Sequence, residues 1–231
     1  MALDKYDSLV RTTYLPVLAK QLGGVADSRY GGSPALVVGE PWPRCGGCQE
    51  PLIFLLQLNL SQLPQVDSGL PAKGLIQAFS CFECDDYEGF SETKLCRLLD
   101  ESKLAKLARS EEGADPYPEK AIINWAPVAK DYPHPEEDAI TDLALSGEVL
   151  DAYIDDLCDL EHCERDKLFG WPEFYQGIEY ETCPDCKKEM AFLMQIVSED
   201  NLPVMWGDMG TAILFYCRQH PNRITFNWAC G

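Results

Sequence analysis

At 231 residues and 46% hydrophobic content, the chain is long enough for one large domain or two small ones around a real core. Its longest apolar run, residues 52–60, is interrupted by Gln57 and Asn59, which excludes a membrane-spanning helix. Thirty-eight acidic residues against nineteen basic ones give a net charge of −19. That field repels phosphate backbones, so direct nucleic-acid binding is disfavoured and a basic protein partner is favoured; the plainer role of such acidity is solubility.

Residues 1–27 are predicted to form an N-terminal helix. Leu9, Val10, Tyr14, Leu15, Leu18 and Leu22 recur at helical spacing over 5–22, with Pro16 as a kink and Gly23-Gly24 as the stop. The opening Met1-Ala-Leu-Asp-Lys-Tyr-Asp lacks the basic region and apolar core of a secretory signal, and eleven cysteines is an odd number. A reduced, cytoplasmic protein is therefore expected, rather than one stapled by disulfides.

Residues 28–110 make a first lobe. A Gly/Pro-rich lead-in over 31–43 carries a short strand at 35–38. The turn Cys45-Gly-Gly-Cys48, strands at 51–60 and 74–80, and the turn Cys81-Phe-Glu-Cys84 follow. A helix is predicted from Ser91 to about Arg109 on the spacing of Leu95, Leu98, Leu99, Leu104 and Leu107, with Cys96 inside it as a small buried hydrophobe.

Residues 111–164 form an acidic connector. From Glu111 to Asp166 there are seventeen Asp and Glu and three Lys and Arg, so −14 of the −19 falls here. The runs 111–118 and 131–138 read as linkers or exposed loops, His134 between two prolines as an exposed loop histidine, and 121–125 as a strand. Residues 140–160 are predicted as an acidic amphipathic helix broken near Ser146-Gly147, with Leu150, Tyr153, Ile154 and Leu157 on one face and Asp151, Asp155, Asp156 and Asp159 on the other. Cys158, His162 and Cys163 resemble part of a third metal site but lack a partner pair at suitable spacing.

Residues 165–231 form a second lobe that repeats the first. Cys183-Pro-Asp-Cys186 leads into Phe192-Leu-Met-Gln195 as Cys45-Gly-Gly-Cys48 leads into Phe54-Leu-Leu-Gln57. Pro34 to Cys45 and Pro172 to Cys183 span eleven steps each, at an offset of 138. Downstream, Gly74 to Cys84 matches Gly210 to His220 at an offset of 136. Strands are predicted at 189–197, 210–216 and 223–228, with a turn at 205–208. An internal duplication sets the fold reading, which is α+β, mainly β, with two lobes that each carry a zinc-ribbon-like cysteine array and edge helices.

The spacing also sets the chemistry. A CxxC turn points two sulfurs at one place, and two such turns supply a tetrahedral site. Cys45, Cys48, Cys81 and Cys84 would give a zinc site of four thiolates, and Cys183, Cys186, Cys217 and His220 one of three thiolates and an imidazole. Two structural zinc ions are expected, because no ligand position is left for water. A thioredoxin-like CxxC would precede a helix and need no second pair, whereas strands follow here.

Lys167-Leu-Phe-Gly-Trp-Pro172, Phe192-Leu-Met-Gln195, Trp206-Gly-Asp-Met-Gly210 and Phe226-Asn-Trp228 resemble the YwqG-like bacterial family of unknown function. Gly31-Gly-Ser-Pro34 and the Cys45 to Gln57 stretch resemble the opening of eukaryotic programmed cell death protein two and its yeast relative in small-subunit rRNA maturation, of the same superfamily. The resemblance covers most of 28–110 and 165–231. It implies a duplicated, mainly β fold and, in the eukaryotic branch, a chaperone that holds a basic ribosomal protein. No catalytic residues carry over from the bacterial branch. The chain departs from the eukaryotic pattern in having no MYND-type finger between its lobes, and from many YwqG-like proteins in having paired cysteines.

The function expected is a zinc-stabilised, chaperone-like protein that holds a basic partner, with ribosome assembly as a setting. The alternatives are an immunity protein against a basic toxin and, from another class, an enzyme. No Ser-His-Asp arrangement or phosphate loop argues for the last, so no catalytic residues are assigned and the protein is expected not to be an enzyme. Trp42, Trp171 and Trp206 are candidate apolar contacts for a partner, against the plainer fate of core tryptophans. Asp208 is a candidate polar hook, against a plain role in its own turn.

Overall fold

The computed structural model describes residues 2–20, 23–84, 88–110, 117–160 and 164–231. A 3-10 helix over Ala2–Leu9 leads into β1 (Arg11–Ala19). Next come β2 (Arg29–Tyr30), β3 (Ala35–Val37), β4 (Ile53–Asn59), a second 3-10 turn (Leu60–Gln62), β5 (Leu75–Ser80) and β6 (Lys94–Leu99). A single-turn helix α1 (Glu101–Leu104), β7 (Leu107–Arg109) and the long β8 (Lys120–Asp131) follow. Helices α2 (Asp138–Thr141) and α3 (Gly147–Cys158) then precede β9 (Lys167–Leu168), β10 (Ala191–Val197), β11 (Thr211–Tyr216) and β12 (Ile224–Ala229). Among the described residues no helix is long and apolar enough to cross a membrane.

Ten strands form one antiparallel sheet in the order β12-β11-β10-β9-β1-β8-β2-β4-β5-β6, and β3 pairs with β7 beside it. The strands flanking the two cysteine sets thus share one continuous sheet, four at each end, joined through β1 and β8. The end strands β6 and β12 touch, so the sheet curls into a nearly closed barrel. At this seam Lys94 Nζ donates to Phe226 O at 3.4 Å and Phe90 N to Thr225 Oγ1 at 2.7 Å.

The N-terminal helix expected over 1–27 is corrected, because residues 11–19, at the centre of its periodic segment, are β1. Thr12, Thr13, Tyr14 and Val17 favour a pleated strand, and a helix interior would have to accommodate Pro16. β1 pairs with β8 along its length. Tyr14 stands opposite Pro127 and Pro16 opposite Trp125, so both prolines fall on alternate pairs of one ladder. Such pairs can be the ones that exchange no hydrogen bonds.

The edge helix expected over 91–109 is likewise corrected. β6 pairs with β5 from Ser80↔Lys94 to Leu75↔Leu99, so the ladder overrides the helical spacing of the leucines. Asp100 then caps α1, accepting from Ser102 N at 2.9 Å. Cys96 packs against the core from a strand instead of a helix.

The helix expected over 140–160 forms as α2 and α3, with its break at 142–146. Tyr153 and Leu157 pack on Tyr6, Tyr132 and Ile140, while Asp151, Asp155 and Asp159 face outward. The loop expected over 131–138 is not an exposed one. Asp131 is fully buried and pairs with buried Lys167 at 2.9 Å, Glu137 is buried, and His134 is half-buried. Burial lowers the imidazole pKa of His134. Residues 111–116 of the acidic run lie outside the described residues, as do His162 and Cys163 of the third possible metal set.

The barrel core is built from Leu56, Leu58, Ile76 and Ala78 at one end and Met194, Ile196, Ala212 and Leu214 at the other, with Trp125 and Trp206 between them. β4, β5, β10 and β11 are also covered on their outer faces. Phe54 and Phe79 pack under the first cysteine set, and Phe192 and Phe215 under the second. Burial on both faces explains why these strands read as nearly unbroken apolar runs in the sequence. Each buried phenylalanine contributes about 1.5–3 kcal/mol.

Candidate functional site

Each CxxC turn is built by a short backbone lattice. Cys45 N donates to Glu50 O at 2.9 Å and Gln49 N to Cys45 O at 3.0 Å, while Cys183 N donates to Lys188 O and Lys187 N to Cys183 O, both at 2.9 Å. Gln49 and Lys187 both take a left-handed conformation, with φ of 63° and 59°. Isolated bridges Arg44↔Pro51 and Thr182↔Glu189 close the two turns. These positions match at the offset of 138 read from the sequence.

The match continues inward. The strand after each turn carries one extra residue, Leu55 in β4 and Leu193 in β10, as a bulge opposite the partner strand. The bulge carbonyls accept from Gly31 N at 2.9 Å and Phe169 N at 2.8 Å. Gln57 and Gln195 are fully buried behind the turns. Gln57 accepts from Ala35 N and donates to Asp27 O, and Gln195 accepts from Glu173 N and donates to Arg165 O. The polar residues also correspond. Ser28 Oγ accepts from Asn59 N, and Asp166 Oδ1 from Val197 N.

The sulfur and nitrogen atoms of each set lie within 4.8 Å of one another, and either set could hold a metal ion. In the first, Cys45 Sγ lies 3.7 Å from Cys84 Sγ, and Cys48 Sγ lies 3.6 Å from Cys81 Sγ. In the second, Cys186 Sγ is 3.6 Å from Cys217 Sγ, and His220 Nδ1 is 3.6 Å from Cys183 Sγ and 3.7 Å from Cys217 Sγ. These separations are too long for disulfides and suit the corners of a tetrahedral site. All ten described cysteines are free.

Electrostatics favour a cation. Burial opposes ionisation of Cys45, but backbone N–H groups of Cys48 and Gly47 overcome it and bring the thiol to about 7. The N–H groups of Cys186 and Asp185 overcome the same opposition at Cys183 and bring it to about 6. Hydrogen bonds with Cys48 and Cys45 push Cys84 up to about 12. One thiol in each set therefore ionises readily, and a bound cation would release the remaining protons.

Beside the second set lies a cleft of about 1160 Å³, whose lining includes Cys186, Cys217, Arg11, Glu137, Trp171 and Tyr180. The Arg11 guanidinium stacks 3.2 Å above the Trp171 ring centroid, and Trp171 Nε1 donates to Leu9 O at 2.9 Å. Tyr180 donates its hydroxyl proton to Glu137 at 2.6 Å, and burial raises the Glu137 carboxyl.

The three candidate tryptophans are all buried. Trp42 donates to Leu52 O and packs edge-on against Phe79 behind the first cysteine set. Trp206 sits in the barrel core against Phe82, Phe226 and Trp228. Of the three, only Trp171 lines the large cleft. Asp208 is exposed in the turn over 207–209. The cleft residues Arg11, Glu137 and Tyr180 went unread in the sequence. Glu137 looked like one more charge of an acidic run, and no spacing ties it to residues more than forty positions away.

A search of curated proteins returns no match. The model of the family described as "Domain of unknown function (DUF1963)" matches residues 28–230, so the chain belongs to this family of uncharacterised domains.

Proposed function

We propose that this chain is a zinc-stabilised binding protein that holds a basic protein partner in a chaperone-like manner, in the cytoplasm. The observation that carries the reading is charge segregation. The stretch from Glu111 to Asp166 holds −14 of the −19, and α3 turns Asp151, Asp155 and Asp159 outward. Such a field accelerates and orients encounter with a basic chain, and the mixed polar and apolar cleft beside the second cysteine set would then fix it. Trp171 is the tryptophan that fits this second role.

Zinc is supported by spacing. An ion about 2.3 Å from sulfur and about 2.0 Å from nitrogen would set edges near ~3.8 and ~3.6 Å, against the 3.6–3.7 Å separations found here. Four ligands leave no site for water, so both ions act structurally. The matched turns, bulges and glutamines support descent from a duplicated unit. The YwqG-like motifs, and the wider superfamily they resemble, support ribosome assembly as the setting.

The test is a native pull-down at low and at moderate salt. Recovery of one basic protein, lost as salt rises and lost when Asp151, Asp155 and Asp159 become Asn, is expected. Recovery of no basic protein at either salt would refute the reading.

A further inference from the structure

The two cysteine sets differ in cover. Of their eight ligand residues, Cys48 alone is exposed. Beside it stands Gly47, where a Cβ would lie 3.4 Å from Cys84 Sγ and 3.7 Å from Cys45 Sγ. Any side chain at 47 would rest on the sulfurs, so glycine leaves that side of the turn bare. The matching position of the second set, at the offset of 138, is Asp185, whose carboxylate accepts from Arg223 Nε at 2.6 Å and from Nη2 at 3.0 Å. Arg223 follows His220, so this ion pair straps the second CxxC turn to the half of the site that carries Cys217 and His220.

The sets also differ in pairing. In the first, the sulfurs fall into two close pairs across the turns, Cys48 with Cys81 at 3.6 Å and Cys45 with Cys84 at 3.7 Å. In the second, Cys186 has Cys217 at 3.6 Å, but Cys183 has His220 Nδ1 at 3.6 Å, which can form no disulfide. Closing a pair brings the sulfurs from 3.6–3.7 Å to about 2.05 Å. The paired glycines of the first turn let its backbone follow, whereas Pro184 and the strapped Asp185 hold the second.

We propose that the first cysteine set is a site of reversible oxidation, which hydrogen peroxide converts to the disulfides Cys48–Cys81 and Cys45–Cys84 with loss of its zinc, while the second set keeps its ion. The inference rests on the zinc reading above. The Cys48 thiolate attacks one peroxide oxygen; an S–O bond forms, the O–O bond breaks, and the other oxygen takes a solvent proton and leaves as water. The Cys81 thiolate then attacks the Cys48 sulfur. The S–S bond forms, the S–O bond breaks, and hydroxide takes a second solvent proton to leave as water. Two thiolates, one peroxide and two protons thus give one disulfide and two waters. Cys45 and Cys84 remain as two ligands where a structural site needs four, and a second peroxide closes them in the same way. The turn released lies over Trp42, Phe54 and Phe79, so oxidation loosens this end of the molecule and spares the other.

The experiment treats full-length, zinc-loaded protein with excess hydrogen peroxide, follows zinc with a chromogenic chelator, and maps disulfides by peptide mass spectrometry. One equivalent of zinc should leave at least tenfold faster than the second, with Cys48–Cys81 and Cys45–Cys84 as the crosslinks. A dithiol reductant with added zinc should restore the bound ion. Gly47→Ala adds a methyl at ordinary contact distance from the sulfurs, on a backbone outside the left-handed region, and should slow the first release at least threefold. Both equivalents leaving at one rate, crosslinks confined to other cysteines such as exposed Cys158, or unchanged release in Gly47→Ala would each overturn the proposal. Protein without zinc before peroxide is added sinks the zinc reading and this inference with it, whereas two bound ions that both resist peroxide sink this inference alone.

Discussion

Replacing Gln57 by Leu tests the buried glutamine that follows each CxxC turn. Gln57 Oε1 accepts from Ala35 N at 3.1 Å and from Gln77 Nε2 at 2.9 Å, and its Nε2 donates to Val25 O at 3.1 Å and Asp27 O at 2.9 Å. Leucine would leave Ala35 N buried and unpaired, at a cost of about 1–3 kcal/mol. The two carbonyls are only part-buried and can reach water, so each adds roughly 0.5–1.5 kcal/mol. Gln77 keeps its bond to Ala35 O, and the added apolar burial returns about 1 kcal/mol. The net loss is about 3 kcal/mol, a large share of a typical domain's stability of roughly 5–15 kcal/mol. Guanidinium denaturation at saturating zinc measures it. Gln195→Leu should lose a comparable amount through Glu173 N and Arg165 O. A loss below about 1 kcal/mol in both variants would refute the assignment of the glutamines as the ties between turn and barrel.

Three other expectations follow. Freshly purified protein should carry two zinc ions, falling to one in Cys48→Ser and to one in Cys186→Ser, by elemental analysis; an unchanged count in either variant would remove that cysteine from its site. Gly46→Ala places a Cβ 2.7 Å from that of Glu92 and should cost about 1–3 kcal/mol, speeding zinc release to a chromogenic chelator from the first site only. Burial, and then the charge of Asp200, raises the Asp166 carboxyl to about 7. Its folded value exceeds its unfolded one, so Asp166 favours folding at low pH and that contribution is lost as pH rises from about 4 to about 7. Asp166→Ser, copying Ser28, should therefore gain on the parent by on the order of 2–4 kcal/mol between pH 4.5 and 8, read from paired denaturation midpoints. An equal difference at both pH values would exclude the buried carboxylate as the cause.

The cysteine arithmetic was legible because metal chemistry demands both residue type and spacing, and Cys45 to His220 assemble where that arithmetic put them. The strands at 53–59 and 191–197 were legible from their apolar runs. The first helix was not. Tyr14, Leu15 and Leu18 share a helical spacing by accident of a strand that lies in mid-sheet and takes its partners from residues more than a hundred positions away. The stretch 91–109 failed for the same reason, since only the ladder to β5 selects its strand form. The large cleft was invisible because it joins Arg11, Glu137 and Trp171, which share no motif.

The double-sided burial of β4 and β10 has a consequence for how the chain finds its alignment. In an ordinary half-buried strand, sliding by one residue turns polar groups inward and is rejected on polarity. Here both faces are apolar, so a slipped β4 would exchange one greasy surface for another, and polarity alone would not object. The objection comes from Gln57 and Gln195, the polar side chains set within those runs, each of which finds its hydrogen bonds at a single alignment. They act as keys cut into otherwise smooth strands. A chain stripped of both keys would keep its hydrophobic content and its two clusters of cysteine and histidine yet lose the feature that tells neighbouring strands where to stop.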